Sequence, residues 1–395
     1  MARAARFLVR IGIPLLIVVL VIGAVAFAVL PSIVDRNMNS VMAKGPYTAS
    51  EQAHKLHETL LVTDLHSDSL LWNRDLLARN LAGHVDVPRL REGNIAIQAF
   101  TIVTKTPQNM NYENNSGDTD SITMLAMAQR WPSATWGSLK ARAMYQAQKL
   151  HEVQARAEGN FRILKTAAEL DAYLVARTTN PKLVAGFLGI EGAHCLEGDI
   201  KNLDILRDAG IRMIGITHFF DNELGGSAHG VEKGGLTPFG VDCVKRMEEL
   251  NILIDLAHAS PAVIDDVLAM ATKPVVVSHT GMKGTCDKTR NLSDEHAKKI
   301  GELGGVIGIG YWDEAVCDPT PAGIARAIKY AVGIAGIDHV GLGSDYDGAI
   351  AAPFDTTGLV QITEALINEG MTPEEIAQIM GGNTVALLRK SFPAT

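Results

Sequence analysis

Basic residues are in the minority in this chain. There are 36 Lys and Arg against 44 Asp and Glu, a net −8. An acidic balance of this kind argues against a nucleic-acid partner, which needs a basic face. Cysteine is scarce too, with four residues and no C-x-x-C pair, so thiolate zinc is not expected. Repeats and low-complexity tracts are missing. The one glycine-rich stretch, GGSAHGVEKGG at 225–235, lacks the order of a phosphate loop and reads as a mobile loop.

Charge is also missing from residues 11–30, IGIPLLIVVLVIGAVAFAVL. As a helix, this run would rise about 30 Å, the thickness of a bilayer core. Arg3, Arg6 and Arg10 precede it, which predicts a cytoplasmic N-terminus and an exported remainder. Residues 1–36 are therefore expected to be a membrane anchor. Cleavage as a signal peptide at Ala24-Val25-Ala26, giving a secreted protein, is the alternative. Residues 1–36 carry a net +3 and the chain −8, so the rest carries −11. Residues 37–50 read as a tether, small and polar with no strong period.

From residue 51 an alternation sets in. Apolar, β-rich runs recur at 60–66, 94–103, 184–192, 211–218, 250–258, 273–279, 304–311 and 339–345. Between the later ones lie helical patterns such as TPFGVDCVKRMEEL, SPAVIDDVLAMA, SDEHAKKIGEL and TPAGIARAIKYAVGI. Strand, helix, strand, helix implies a parallel sheet, and near-continuous apolar strands imply cover on both faces. Eight such units predict a (β/α)8 TIM barrel over residues 51–395, with one long insertion at 104–160.

The polar residues fall in a pattern. The first run ends in DLHSDSL, where His66 and Asp68 are two apart and so face the same way on a strand. The third ends in Glu191, the fourth in His218, the fifth in His258, the sixth in His279 and the eighth in Asp345. In a barrel these ends converge on one mouth. So many acids and imidazoles crowded together would be costly without cations to pair with. Imidazole and carboxylate suit zinc, manganese or cobalt. Two ions bridged by one carboxylate would use His66, Asp68, Glu191, His258 and His279. A hydroxide shared between them would be the nucleophile. Asp345 would carry the proton to a leaving nitrogen, and His218 would polarise a carbonyl.

These motifs resemble the membrane dipeptidase (renal dipeptidase) family, metallopeptidase family M19 of the amidohydrolase superfamily. The resemblance spans roughly residues 56–390. It rests on DLHSDSL, HVDVPRLREGNIAIQAF, GIEGAH, ITHFFDNELG, GGLTPFG, LIDLAHAS, VVVSHT, TRNLSDE and HVGLGSDYDG, in that order. It implies a zinc-dependent dipeptidase with two zinc ions bridged by Glu191. His66 and Asp68 would serve the first ion, and His258 and His279 the second. It implies His218 as the substrate-polarising residue, Asp345 as the acid/base, and Arg290 in TRN as the partner of the dipeptide's carboxylate. A guanidinium fork suits that task. The family's dimers make a homodimer one expected assembly.

Other readings stay open. Another binuclear amidohydrolase would act on an N-acyl amino acid, a lactone or a phosphoester. Phosphotriesterase-like relatives, however, use H-x-H on strand one and a bridging lysine on strand four. Here strand one has H-x-D and strand four has no lysine. A tethered binding protein without catalysis is disfavoured because the ligands and the acid/base are all present. His84, His151, His296 and His339 are read as structural or surface residues, and His194, close after Glu191 and near the mouth, as a support behind the ligands or a loop residue. Cys286 and Cys317 fall in neighbouring barrel loops, so a disulfide between them is a hypothesis.

Overall fold

Eight short strands, each at one of the apolar runs, lie parallel in a ring. They are β1 (Val62–Asp64), β2 (Ile95–Phe100), β3 (Val184–Ile190), β4 (Ile211–Gly215), β5 (Leu253–Asp255), β6 (Val276–Thr280), β7 (Val306–Ile309) and β8 (Val340–Leu342). Successive strands pair in parallel from β1 through β8. Between β8 and β1, Leu65 N–H donates to Leu342 O at 2.9 Å, and Ser67 bridges to Tyr346. This computed structural model describes the backbone of residues 2–395, with side chains at residues 13–21, 23, 25, 27 and 29–395. The arrangement is the expected near-closed barrel. Every residue of the eight strands is buried, as apolar runs covered on both faces require.

Local sequence sets the outer helices. Thr237, Ser260, Ser293 and Thr320 accept a backbone N–H at the starts of helices Pro238–Glu249, Pro261–Met270, Asp294–Glu302 and Pro321–Ala335. Three of the four place proline in the first turn, where its missing N–H costs nothing. Each cap contributes about 1 kcal/mol. A short strand, Phe161–Ile163, adds to the outside of β3, which sequence did not anticipate.

The 104–160 insertion is a folded unit. It holds helices Ile122–Ala128 and Leu139–Arg156 around the buried Arg142. That guanidinium reaches the carbonyls of Thr104 and Thr135 and the carboxylate of Asp120, each at 2.7 Å.

The N-terminal segment departs from expectation. Its helix runs Ala2–Met38. Among the described residues, no helix is long and apolar enough to cross a membrane, so the expected transmembrane anchor is not borne out. Part of the run it rested on lies outside the described side chains.

The end of that helix rests on the barrel. Asp35, almost fully buried, pairs with Arg74 at 3.1 Å, and Arg74 pairs with Asp347 at 3.0 Å. Beyond the helix, Ser40–Val41 pairs in parallel with Ala351–Ala352.

Candidate metal centre

Six of the eight strand ends contribute to a cluster at one mouth of the barrel. His66 lies two residues past β1 and is fully buried. Its Nε2 stands 3.4 Å from Asp68 Oδ1, 3.4 Å from Glu191 Oε1 and 3.9 Å from Asp345 Oδ1. Glu191 follows β3 directly, and its N–H donates to Ile102 O at 3.0 Å. His258 Nε2 and His279 Nε2 reach the same Glu191 Oε1 at 3.0 and 3.4 Å. His218 Nε2 meets the other oxygen, Oε2, at 3.0 Å. Seven of the eight residues expected from sequence thus gather around one carboxylate. The eighth, Arg290, borders the same cavity.

Backbone geometry serves this convergence. His258 and Asp345 both adopt left-handed conformations, with φ of 62° and 59°. Such values are uncommon for residues with a side chain and tend to gather at functional sites. Gly348 leaves the room the cluster needs. A Cβ there would lie 2.1 Å from Asp345 Oδ1 and 3.0 Å from Asp68 Oδ2.

The electrostatics are those of a site built for cations. Burial, reinforced by the charge of Asp68, raises the carboxyl of Glu191 well above the usual range. Burial likewise raises Asp345, with Asp68 adding to it and His66 and Arg290 opposing. Burial pulls His66 down, but Asp68 and Glu191 outweigh it and lift the imidazole to about 10. The other three imidazoles, His218, His258 and His279, are pushed well down by burial and so are neutral.

The donor set fits divalent cations. Three overlapping groups, His66–Glu191–His279, Glu191–His218–His258 and His66–Asp68–Asp345, each bring their ligand atoms within 4.8 Å of one another. His66 Nε2 is buried, has no hydrogen-bond partner and faces three carboxylates. Neutral imidazole and carboxylate are the ligands that zinc and its neighbours take. These groups also draw in His218 and Asp345, which the sequence reading kept for chemistry rather than for ligation.

Several supporting residues escaped the sequence reading. Ser278 Oγ lies 3.0 Å from His66 Nδ1 and 2.9 Å from His279 Nδ1. If both rings present a bare Nε2 to a cation, both Nδ1 atoms carry hydrogen, and this one hydroxyl accepts from both. Thr101 donates to Asp68 Oδ1 at 2.7 Å. Asp64 and Asp255, both buried, tie strand ends together. Asp64 accepts from His66 N, Gln98 Nε2 and Ser344 N and Oγ, while Asp255 accepts from Ala257 N and Ser278 N. Both aspartates lie in quoted motifs, and their position two or three residues before a ligand His was the available signal.

Arg290 is buried, with its guanidinium 4.7 Å from the centre of the Trp312 ring and one N–H donating to His279 O at 3.0 Å. Its Nε has no partner. The loop carrying it is joined to the next one by a Cys286–Cys317 disulfide. His194 hydrogen-bonds Thr104 Oγ1 at 2.9 Å and takes no part in the cluster. His84, expected to be structural, is buried against Asp347 with its Nδ1 3.2 Å from the carboxylate. The mouth opens into a cavity of about 200 Å³, bordered by Asp68, Glu191, His218, His258, Arg290 and Asp345.

Comparison with known proteins agrees with this geometry. The family model described as membrane dipeptidase (peptidase family M19) matches residues 50–392. The dipeptidase aclJ of Aspergillus oryzae is 26% identical over 354 residues, covering 83% of this chain and 77% of that protein. A crystal structure of the dipeptidase AC, a metallopeptidase of family M19, superposes with a TM-score of 0.71 at 25% identity. That match covers 85% of this chain and 100% of the other. A metallopeptidase from Rhodobacter sphaeroides, solved with a phosphinate mimic of the dipeptide L-Ala-D-Ala, gives 0.70 at 24% identity over 85% of this chain and 100% of that one.

Proposed function

This chain belongs to the membrane dipeptidase family, peptidase family M19, and is a metal-dependent dipeptidase; we propose that it works with two zinc ions bridged by Glu191. One observation carries the proposal. Three buried imidazole nitrogens, from His66, His258 and His279, stand within 3.0–3.4 Å of a single carboxylate oxygen. In this assignment His66 and Asp68 hold one ion, and His258 and His279 hold the other.

Bound cations would supply an acidified water and a Lewis acid for the scissile carbonyl. The chain's own groups do the rest. Arg290, steadied by Trp312, pairs with the substrate's free carboxylate through its guanidinium fork. That pairing sets the peptide bond against the cluster, a gain from orientation alone. His218 is neutral because it is buried, and it offers an N–H to the carbonyl oxygen as charge develops there. Asp345, raised by burial, takes the attacking water's proton on a carboxylate oxygen and gives it to the departing amine nitrogen.

Our reading of location is that the barrel lies outside the cytoplasm, held to a membrane through residues 11–30. Three features support it. The described side chains of that run are all exposed although apolar, and Arg3, Arg6 and Arg10 precede it. The Cys286–Cys317 disulfide suits an oxidising compartment.

The test is metal content and hydrolysis on one sample. The full chain, purified without chelator, is analysed for metal and assayed on L-L and L-D dipeptides alongside esters and N-acyl amino acids. Two zinc ions per chain with dipeptide turnover is the expected result. Turnover confined to esters or N-acyl amino acids would move the substrate elsewhere in the superfamily.

A further inference from the structure

The cavity in front of the metal ligands has a wall that the barrel does not supply. Val34 and Met38, from the last turns of the N-terminal helix, border the same space as Glu191, His218, His258 and Asp345. Val34 packs against an apolar cluster formed by Leu71, Trp72, Val103, Ile122, Ala126 and Trp131. Trp72 spends its indole N–H on Asp347 O at 2.7 Å, so it turns only carbon toward the pocket's apolar side.

This wall is fastened in place. Asp35, one residue after Val34, pairs with Arg74, which pairs in turn with Asp347. Asn39, one residue after Met38, donates to Asp35 Oδ1 at 2.8 Å and accepts from Ala349 N–H at 2.9 Å. His84 Nε2 lies 3.1 Å from Ser40 O. The end of the helix is thereby tied on both sides of Met38 to the loop that carries Asp345.

Topology says which end of a substrate would meet it. Val103 and Ile122 follow β2, and Arg290 follows β6, four strands away in a ring of eight. They stand on opposite sides of the mouth. A dipeptide with its carboxylate at Arg290 and its peptide bond at the cluster directs its N-terminal side chain toward the far wall.

We propose that Val34 and Met38 form the subsite for the N-terminal side chain of the dipeptide and set a preference for a large apolar residue there. The inference rests on the dipeptidase reading above, with Arg290 as the carboxylate partner. A glycine at that position leaves the wall uncovered, whereas leucine or phenylalanine covers it and excludes water.

The experiment uses the full, metal-loaded chain and compares Leu-Ala with Gly-Ala. The parent is expected to favour Leu-Ala in kcat/KM by about tenfold or more. In Met38→Ala and Val34→Ala that ratio falls, to about one-tenth in the double variant, chiefly through KM. Met38→Leu retains the parent's ratio, and Met38→Trp, which fills the space, lowers it. Inhibition constants for phosphinate mimics carrying leucine or glycine side chains should follow the same order, which reads binding without turnover. Met38 is 43% exposed, so Met38→Ala should fold even if the double variant does not. A parent without preference for Leu-Ala, or a ratio that stays within twofold in both single variants, overturns the inference and leaves the dipeptidase reading standing. A parent that cleaves neither dipeptide overturns both.

Discussion

The Nε2 atoms of His258 and His279 stand 2.9 Å apart, both directed at Oε1 of Glu191. Two neutral imidazoles in that position can share at most one proton, and both rings are buried. A cation between nitrogen and carboxylate resolves the crowding. Glu191→Gln keeps the shape and removes the charge. Metal affinity is expected to fall by more than about 10²-fold, and turnover with it. Metal analysis after dialysis against a weak chelator reads this directly. Full occupancy in the variant would remove Glu191 from its bridging role.

Asp345 lies 3.9 Å from His66 Nε2, and the proposed assignment gives it the proton transfer while His66, Asp68, Glu191, His258 and His279 hold the ions. Asp345→Asn should therefore fold, retain most of its metal and lose kcat by about 10²–10⁴-fold with a smaller change in KM. Metal content and steady-state kinetics on one preparation separate the roles. Near-normal kcat would rule out proton transfer by this residue, whereas lost metal would make it a ligand.

Arg290 offers a planar fork beside Trp312. Arg290→Lys keeps the charge but not the fork, and kcat/KM on a free dipeptide should fall about 10²-fold. A dipeptide amide has no carboxylate to lose, so parent and variant should treat it alike. An equal loss on both substrates would show that Arg290 acts some other way.

Asp347 is fully buried. Burial alone would raise its carboxyl, but Arg74, with His84 and Ser69, holds it well below the usual carboxylate range. A carboxyl depressed in the folded state contributes stability that is present above the unfolded value of about 4 and is lost as pH falls below it. Asp347→Asn leaves Arg74 buried beside Asp35 alone and should cost about 3–5 kcal/mol at neutral pH. The variant's stability should also depend less steeply on pH below about 4. Denaturant unfolding at pH 7 and at pH 3.5 measures both effects.

Much of this molecule could be read in its sequence, because its barrel is built from local signals. Each of the eight apolar runs holds a barrel strand, one of them extending a residue further, and the later helices begin within the helical patterns between the runs. The site was legible for a related reason. When strand ends converge by topology, His66, Asp68, Glu191, His218, His258, His279 and Asp345 need no alignment to be grouped. What escaped lies in partnerships between distant residues. Nothing in its neighbourhood marks Arg142 as the clamp of the insertion, since its partners lie at Thr104, Asp120 and Thr135. Nor does a long apolar N-terminal run disclose that its final turns form a wall of the pocket. Its apolarity points to an anchor, and the two side chains that border the cavity come after the charge-free stretch.

Ser278 is a single hydroxyl beneath two rings. Two ligands that belong to different ions in the proposed assignment therefore share one support, and a disturbance at either ring is felt by the other. The pair of ions would behave less like two independent occupants than like two lamps on one switch. Mixed loading, with a different metal in each position, would strain a common post. Drift in the ligand geometry during evolution would have to carry both rings together or neither.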